Sequence, residues 1–130
     1  MSIQPYLFFN GRCEEAIAFY GEALGAKLIM KMRFDENPQP QPMPLPEGWG
    51  GKIMHCALQI DDATLLASDA MSNEGTRFDG FMVSLNAADA VQAEQRFNAL
   101  SAGGQVRMPL AKTFWSPCFG MLTDRFGVGW

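Results

Sequence analysis

Phe81-Met82-Val83-Ser84-Leu85-Asn86 decides the fold, because it restarts an order that Leu7-Phe8-Phe9-Asn10 has already used. Setting Asn86 on Asn10 puts Val83 on Leu7, Leu85 on Phe9 and Leu100 on Leu24 without a gap. After a two-residue shift the copies stay in step, with Gly103 on Gly25 and Val106 on Leu28. Such self-similarity marks a duplicated supersecondary unit. In the first copy, Ile3 to Phe9 reads as a strand, broken by Asn10-Gly11. Glu14 and Glu15 open a helix, and Ala16, Phe19, Tyr20, Ala23 and Leu24 form its apolar stripe up to Gly25. Lys27 to Phe34 reads as the next strand, with Leu28, Met30, Met32 and Phe34 alternating against Lys27, Ile29, Lys31 and Arg33. Ile53 to Ile60 and Thr64 to Ser68 follow, joined at Asp61-Asp62 as a hairpin.

The second copy repeats this grammar. Phe81 to Leu85 is a predicted strand, and Asn86 with Asp89 three residues later resembles a capping box. Ala90, Ala93, Phe97 and Leu100 make the helical stripe, Gly103-Gly104 ends it, and strands are expected over Gln105 to Leu110 and Pro117 to Thr123. The expectation is an α+β chain of two βαβββ modules, residues 1–70 and 78–130, within one domain spanning 1–130. Their sheets are expected to form a curved mixed sheet around a concave central cavity, the helices covering the outer face. Ser72, Asn73, Glu74 and Gly75 fall in the expected linker. From Asp35 to Gly51, prolines at every second position from Pro38 to Pro46 and then Gly48, Gly50 and Gly51 exclude a central strand or helix. That segment reads either as a surface excursion of low order or as a lid tipped by Trp49.

Composition narrows the function classes. At 130 residues, 48% hydrophobic, the chain can build a core without staples. A formal charge of −4 with no Lys/Arg cluster argues against nucleic acid. No run is long enough to span a membrane and no secretory signal precedes the first strand, so a cytoplasmic location is expected. Cys13, Cys56 and Cys118 are odd in number and far apart, which disfavours a disulfide framework, and Cys56 and Cys118 read as structural. A single histidine, His55, rules out a metal site built from several histidines of one chain.

His55 alternates with Met54, Cys56, Leu58 and Ile60, so His55, Ala57 and Gln59 are expected to face away from the helix, toward the ligand. There an imidazole serves as general base, metal ligand or hydrogen-bond donor, or else it is structural. Asp69, after Ser68, is positioned either to pair with His55 or to cap a turn. Phe114-Trp115 reads as aromatic wall or as core, and Asp124 before Arg125-Phe126-Gly127 as a turn former. The candidate site is therefore His55 and Asp69 as the catalytic pair, with Gln59, Ser68, Phe114, Trp115 and Trp49 around the ligand.

Pro5-Tyr6-Leu7-Phe8-Phe9-Asn10-Gly11, Glu14-Glu15-Ala16-Ile17-Ala18-Phe19-Tyr20, Ile53-Met54-His55-Cys56-Ala57-Leu58, Ser68-Asp69-Ala70-Met71 and Thr123-Asp124-Arg125-Phe126-Gly127 together resemble the vicinal-oxygen-chelate (glyoxalase/bleomycin-resistance/dioxygenase) superfamily, in its PhnB-like branch. That branch often carries the label 3-demethylubiquinone-9 3-methyltransferase. The resemblance implies a cavity protein that binds or transforms a small molecule, frequently as a homodimer. It implies metal ligands where this chain has Pro5 and, near the second position, Asp79; the last would fall past Trp130, where a final strand is expected to be truncated or disordered. No cofactor is therefore expected, beyond a weak divalent-metal site of His55 with one or two carboxylates. A classical metal-dependent glyoxalase is disfavoured. So is genuine methyl transfer, because the glycine-rich strand-to-helix turn of an adenosylmethionine site is missing. Three readings stand: a small-molecule enzyme, a non-catalytic binder of the bleomycin-resistance type, and a scaffold with a decayed site.

Overall fold

The computed structural model describes residues 2–39, 44–70 and 75–130. The chain divides into two compact units, Met1–Thr76 and Arg77–Trp130. In the first, β1 (Tyr6–Phe9), α1 (Cys13–Leu24), β2 (Lys27–Arg33), β3 (Ile53–Ile60) and β4 (Ala63–Asp69) form a mixed sheet of order β1-β4-β3-β2, with β1 and β4 parallel. α1 covers one face. Leu7, Phe9, Cys56, Leu58, Leu65 and Ala67 point into that layer against Cys13, Ala16, Phe19 and Tyr20, and all are buried. α1 stops at Gly25, whose φ of 68° is the left-handed conformation that glycine adopts without penalty. Asp61, at φ 54°, turns the β3–β4 hairpin where one was expected.

The second unit holds α2 (Ala90–Ser101), β5 (Gln105–Ala111) and β6 (Phe119–Thr123), with β5 and β6 antiparallel. Asp124 to Gly127 turns the chain, and Leu122 and Trp130 then exchange backbone bonds of 3.0 and 2.9 Å. Asp124 is indeed the turn former. Its buried carboxylate accepts from the Phe126 and Val128 amides and from Trp130 Nε1, at 2.9, 3.0 and 2.9 Å. Gly104 must be glycine for a steric reason, since a Cβ there would lie 2.1 Å from the Thr123 carbonyl oxygen.

Four expectations are corrected. Phe81 to Leu85 is not a strand, because a strand needs a ladder and here Val83 N–H to the Gly129 carbonyl (2.9 Å) is the backbone bond that holds it. The second helix is capped by Asp89, not by Asn86: the Asp89 carboxylate accepts the Gln92 amide at 2.8 Å, and Gln92 Oε1 accepts the Ala88 amide at 2.7 Å. β2 does not alternate throughout. A bulge between Leu28 and Met30 leaves Leu28 beside Leu58 on the helix side but turns Met30 and Met32 to the open side, beside Ala57 and His55. β6 begins at Phe119 rather than Pro117.

In the proline-rich stretch, Phe34–Glu36 and Trp49–Gly51 are single 3-10 turns, so the exclusion of strand and α-helix holds for its described part. Residues 40–43, with Pro40 and Pro42, lie outside the described residues, as do Met71, Ser72, Asn73 and Glu74.

Candidate ligand site on the open sheet face

The site lies on the face of the first sheet that α1 leaves bare. Register fixes who shares it: Phe8 stands opposite Ser68, Met32 opposite His55, and Tyr6 opposite Leu66, which stands opposite Ala57. One step along the ladder from Cys56–Ala67, His55 and Ser68 share the open face. The face is apolar and wet. Tyr6, Phe8 and Met30 are 38%, 51% and 38% exposed, whereas Leu7, Phe9, Cys56, Leu58 and Leu65 on the helix side are buried. Tyr6 and Phe8 stack at 4.6 Å between ring centroids, and Tyr6 lies 5.6 Å from the His55 ring.

The polar centre is a hydrogen bond of 3.0 Å between the Tyr6 hydroxyl and His55 Nδ1. With the phenol donating, the ring proton sits on Nε2 and the imidazole offers a donor to a ligand. With Nδ1–H donating to the phenol oxygen, Nε2 offers a lone pair instead. Either way Tyr6 fixes the ring and leaves Nε2 for chemistry. Tyr6 was readable in advance: Leu7 and Phe9 belong to the helix side, so period-two alternation sends Tyr6 and Phe8 to the side of His55.

The expected companions of His55 are distributed unevenly. Gln59 shares its face and is exposed, opposite Lys27 and Thr64. Ser68 shares it too but is buried. Asp69 is on the opposite face. Its Oδ1 accepts the Gly11 and Cys13 amides at 2.8 and 3.0 Å, and its Oδ2 accepts the Ile53 amide at 3.0 Å. Asp69 is thus not brought to His55. It caps the first turn of α1, whose own N-cap residue, Arg12, makes no capping bond through its side chain. Trp49 packs edge-on to Phe34 at 6.1 Å. Phe114 and Trp115 belong to the second unit, where Phe114 is almost wholly exposed and Trp115 packs against Phe119 at 5.4 Å.

Other titratable groups serve the helix side. Cys13 and Cys56, both wholly buried, lie 3.8 Å apart, and the contact with Cys56 followed by burial pushes the Cys13 thiol up. Glu14 is held below the usual carboxylate range by its hydrogen bonds to Arg33, with Lys31 at 3.5 Å adding to them. Among the described residues the donors present do not fit a catalytic metal. Among the described residues no three His, Cys, Asp or Glu side chains converge, Asp79 pairs with Arg77 at 3.1 Å, and a catalytic transition-metal site takes about three protein ligands. No helix of the described residues is long and apolar enough to cross a membrane.

Comparison with known proteins gives one consistent answer. Residues 2–130 match the model of the Glyoxalase/Bleomycin resistance protein/Dioxygenase superfamily. Protein YjdN of Escherichia coli K12 is 34% identical, the match covering 100% of this chain and 92% of that protein. The crystal structure of PA1353 from Pseudomonas aeruginosa is 42% identical with a TM-score of 0.85, over 100% of this chain and 94% of that one. A PhnB protein of Bacillus cereus, provisionally described as a 3-demethylubiquinone-9 3-methyltransferase, shares the fold at a TM-score of 0.81 and 24% identity, over 100% and 96% of the two chains.

Proposed function

Since the chain belongs to the glyoxalase/bleomycin resistance/dioxygenase superfamily, we propose that it binds a small, largely apolar organic molecule on the open face of its first sheet. Tyr6, Phe8, Met30 and Met32 supply the floor, and His55 supplies the one directional polar contact. The observation that carries this reading is the Tyr6–His55 hydrogen bond set among exposed apolar side chains on the sheet face that α1 leaves bare. Small-molecule sites have this composition, mostly apolar with a few placed polar groups. Binding is favoured over catalysis because the carboxylate that would make His55 a general base is occupied by three backbone amides on the other face.

The test is a thermal-shift screen of aromatic and heterocyclic compounds, followed by calorimetric titration of the hits. Tyr6→Ala and His55→Ala should each weaken a genuine ligand at least tenfold and leave the unfolding midpoint of the free protein nearly unchanged. A ligand whose affinity survives both substitutions would remove this face from consideration. Turnover of a hit by wild type, lost in His55→Ala, would restore the enzyme reading.

A further inference from the structure

Ser68 carries a hydroxyl that the fold leaves unused. The residue is 4% exposed, yet among the described residues its hydroxyl makes no hydrogen bond. No described side-chain oxygen is sealed off without a partner, so the Ser68 oxygen must touch solvent at the floor of the open face. Burying a hydroxyl without a bond costs stability, and one kept in that state is accounted for by a partner from outside the chain. Phe8 stands opposite Ser68 on β1, and His55 is beside it on β3, one step beyond the Cys56–Ala67 pair. Strand spacing sets the Ser68 and His55 backbones about 4.8 Å apart.

Both groups are donors. In the Tyr6–His55 bond the phenol is the stronger acid and the imidazole nitrogen the stronger base, so the phenol donates to Nδ1. The ring proton is then on Nε2, which becomes a fixed N–H donor beside a hydroxyl free to rotate. Charge agrees. Asp69 is the one carboxylate within β1 to β4, and its oxygens are occupied by amides on the opposite face. Lys31 and Arg33 are held by Glu14, while Lys27, paired with Gln59, brings a positive charge to the open face. Two adjacent donors, a positive charge on the same face and no acidic side chain from the strands suit an anion with two oxygens.

We propose that the ligand of this face carries a carboxylate, which takes one hydrogen bond from Nε2–H of His55 and one from the Ser68 hydroxyl while its apolar body lies on Tyr6 and Phe8. The inference rests on the open face being the binding surface, and it adds the ligand's chemical class and a second polar contact.

Naphthalene-2-carboxylate and its amide share one shape and differ in charge and in one acceptor. Titration calorimetry of the full chain should show the acid binding about tenfold more tightly than the amide, the gain of charge-assisted over neutral hydrogen bonds. Ser68→Ala should weaken the acid about tenfold and bring the two compounds level. The unfolding midpoint of the free variant should not fall, because no bond within the chain is lost; a hydroxyl kept for structure would lower it or prevent folding. Since His55 is the one histidine, its imidazole nitrogen NMR signals identify the tautomer directly, and the neutral ring should carry its proton on Nε2. An amide as tight as the acid, a lowered Ser68→Ala midpoint or a proton on Nδ1 would overturn the proposal. So would an acid that shows no binding at about 1 mM or keeps its preference in Ser68→Ala. These failures leave the binding face standing as long as other ligands still lose affinity in Tyr6→Ala; if none does, the face itself falls and this inference with it.

Discussion

Replacing Asp69 by asparagine is the sharpest test of how the first unit is held together. The carboxylate is 3% exposed and takes three amides, Gly11 and Cys13 on Oδ1 and Ile53 on Oδ2. Asparagine keeps the volume and one acceptor oxygen. With that oxygen on Gly11 and Cys13, its NH2 group meets the Ile53 amide donor to donor. The opposite flip orphans two amides instead of one. A hydrogen bond to a charged acceptor contributes ~1.5–3 kcal/mol, and a buried donor without a partner costs ~1–3 kcal/mol. Asp69→Asn should therefore lose about 2–3 kcal/mol. Asp69→Ala, which orphans all three amides, should lose about 3–5 kcal/mol, less than the sum because water reaches the partly buried Gly11 amide. Against a typical stability of ~5–15 kcal/mol, the alanine variant removes from about a fifth to all of it. Urea unfolding followed by circular dichroism should show a lower midpoint at unchanged slope. An Asp69→Asn midpoint within ~0.5 kcal/mol of wild type, the scatter of a neutral surface change, would refute the clamp and return Asp69 to the list of catalytic candidates.

Gly104→Ala should cost at least ~3 kcal/mol or prevent folding, since its Cβ would overlap a backbone oxygen and a backbone cannot yield as a side chain tip can; a soluble variant with an unaltered melting temperature would contradict this. Glu14, depressed by Arg33, contributes stability that is fully present above the unfolded glutamate value of ~4.3 and is lost as pH falls through the lower folded value. The effect is small because the pair is exposed, and Arg33→Ala should raise the Glu14 titration midpoint seen by carbon NMR. Toward a neutral-pH thiol reagent, Cys118 should react in the native protein while Cys13 and Cys56 wait for denaturant, because burial shields both and their contact keeps Cys13 protonated. Equal rates for all three would rule this out.

Most of the first unit was legible because its signals are local. Alternation in β3 placed His55 opposite Cys56, and the Cys13 contact shows which side is the helix side. Gly25 and Asp61-Asp62 marked a helix end and a turn by backbone preference alone. What was not legible depended on partners far away in the chain. Nothing near Asp69 announces amides at Gly11, Cys13 and Ile53, so its sequence neighbourhood suits a catalytic acid as well as a clamp. The β2 bulge was hidden because Leu28, Met30, Met32 and Phe34 alternate without a break against Ile29, Lys31 and Arg33, while the extra residue of a bulge is defined by pairing with the partner strand. Phe81 to Leu85 has the composition of a strand, yet strand is a property of the ladder.

The two helices also differ in how far their caps must travel along the chain. α2 carries its cap within four residues, Asp89 to Gln92, so its first turn is closed by local contacts alone. α1 borrows its cap from Asp69, and that carboxylate reaches Gly11 and Cys13 only after more than fifty intervening residues have been looped back and β1 has met β4. The first turn of α2 is thus satisfied by its own neighbours, whereas that of α1 is satisfied only where the parallel pair of β1 and β4 brings Asp69 to it.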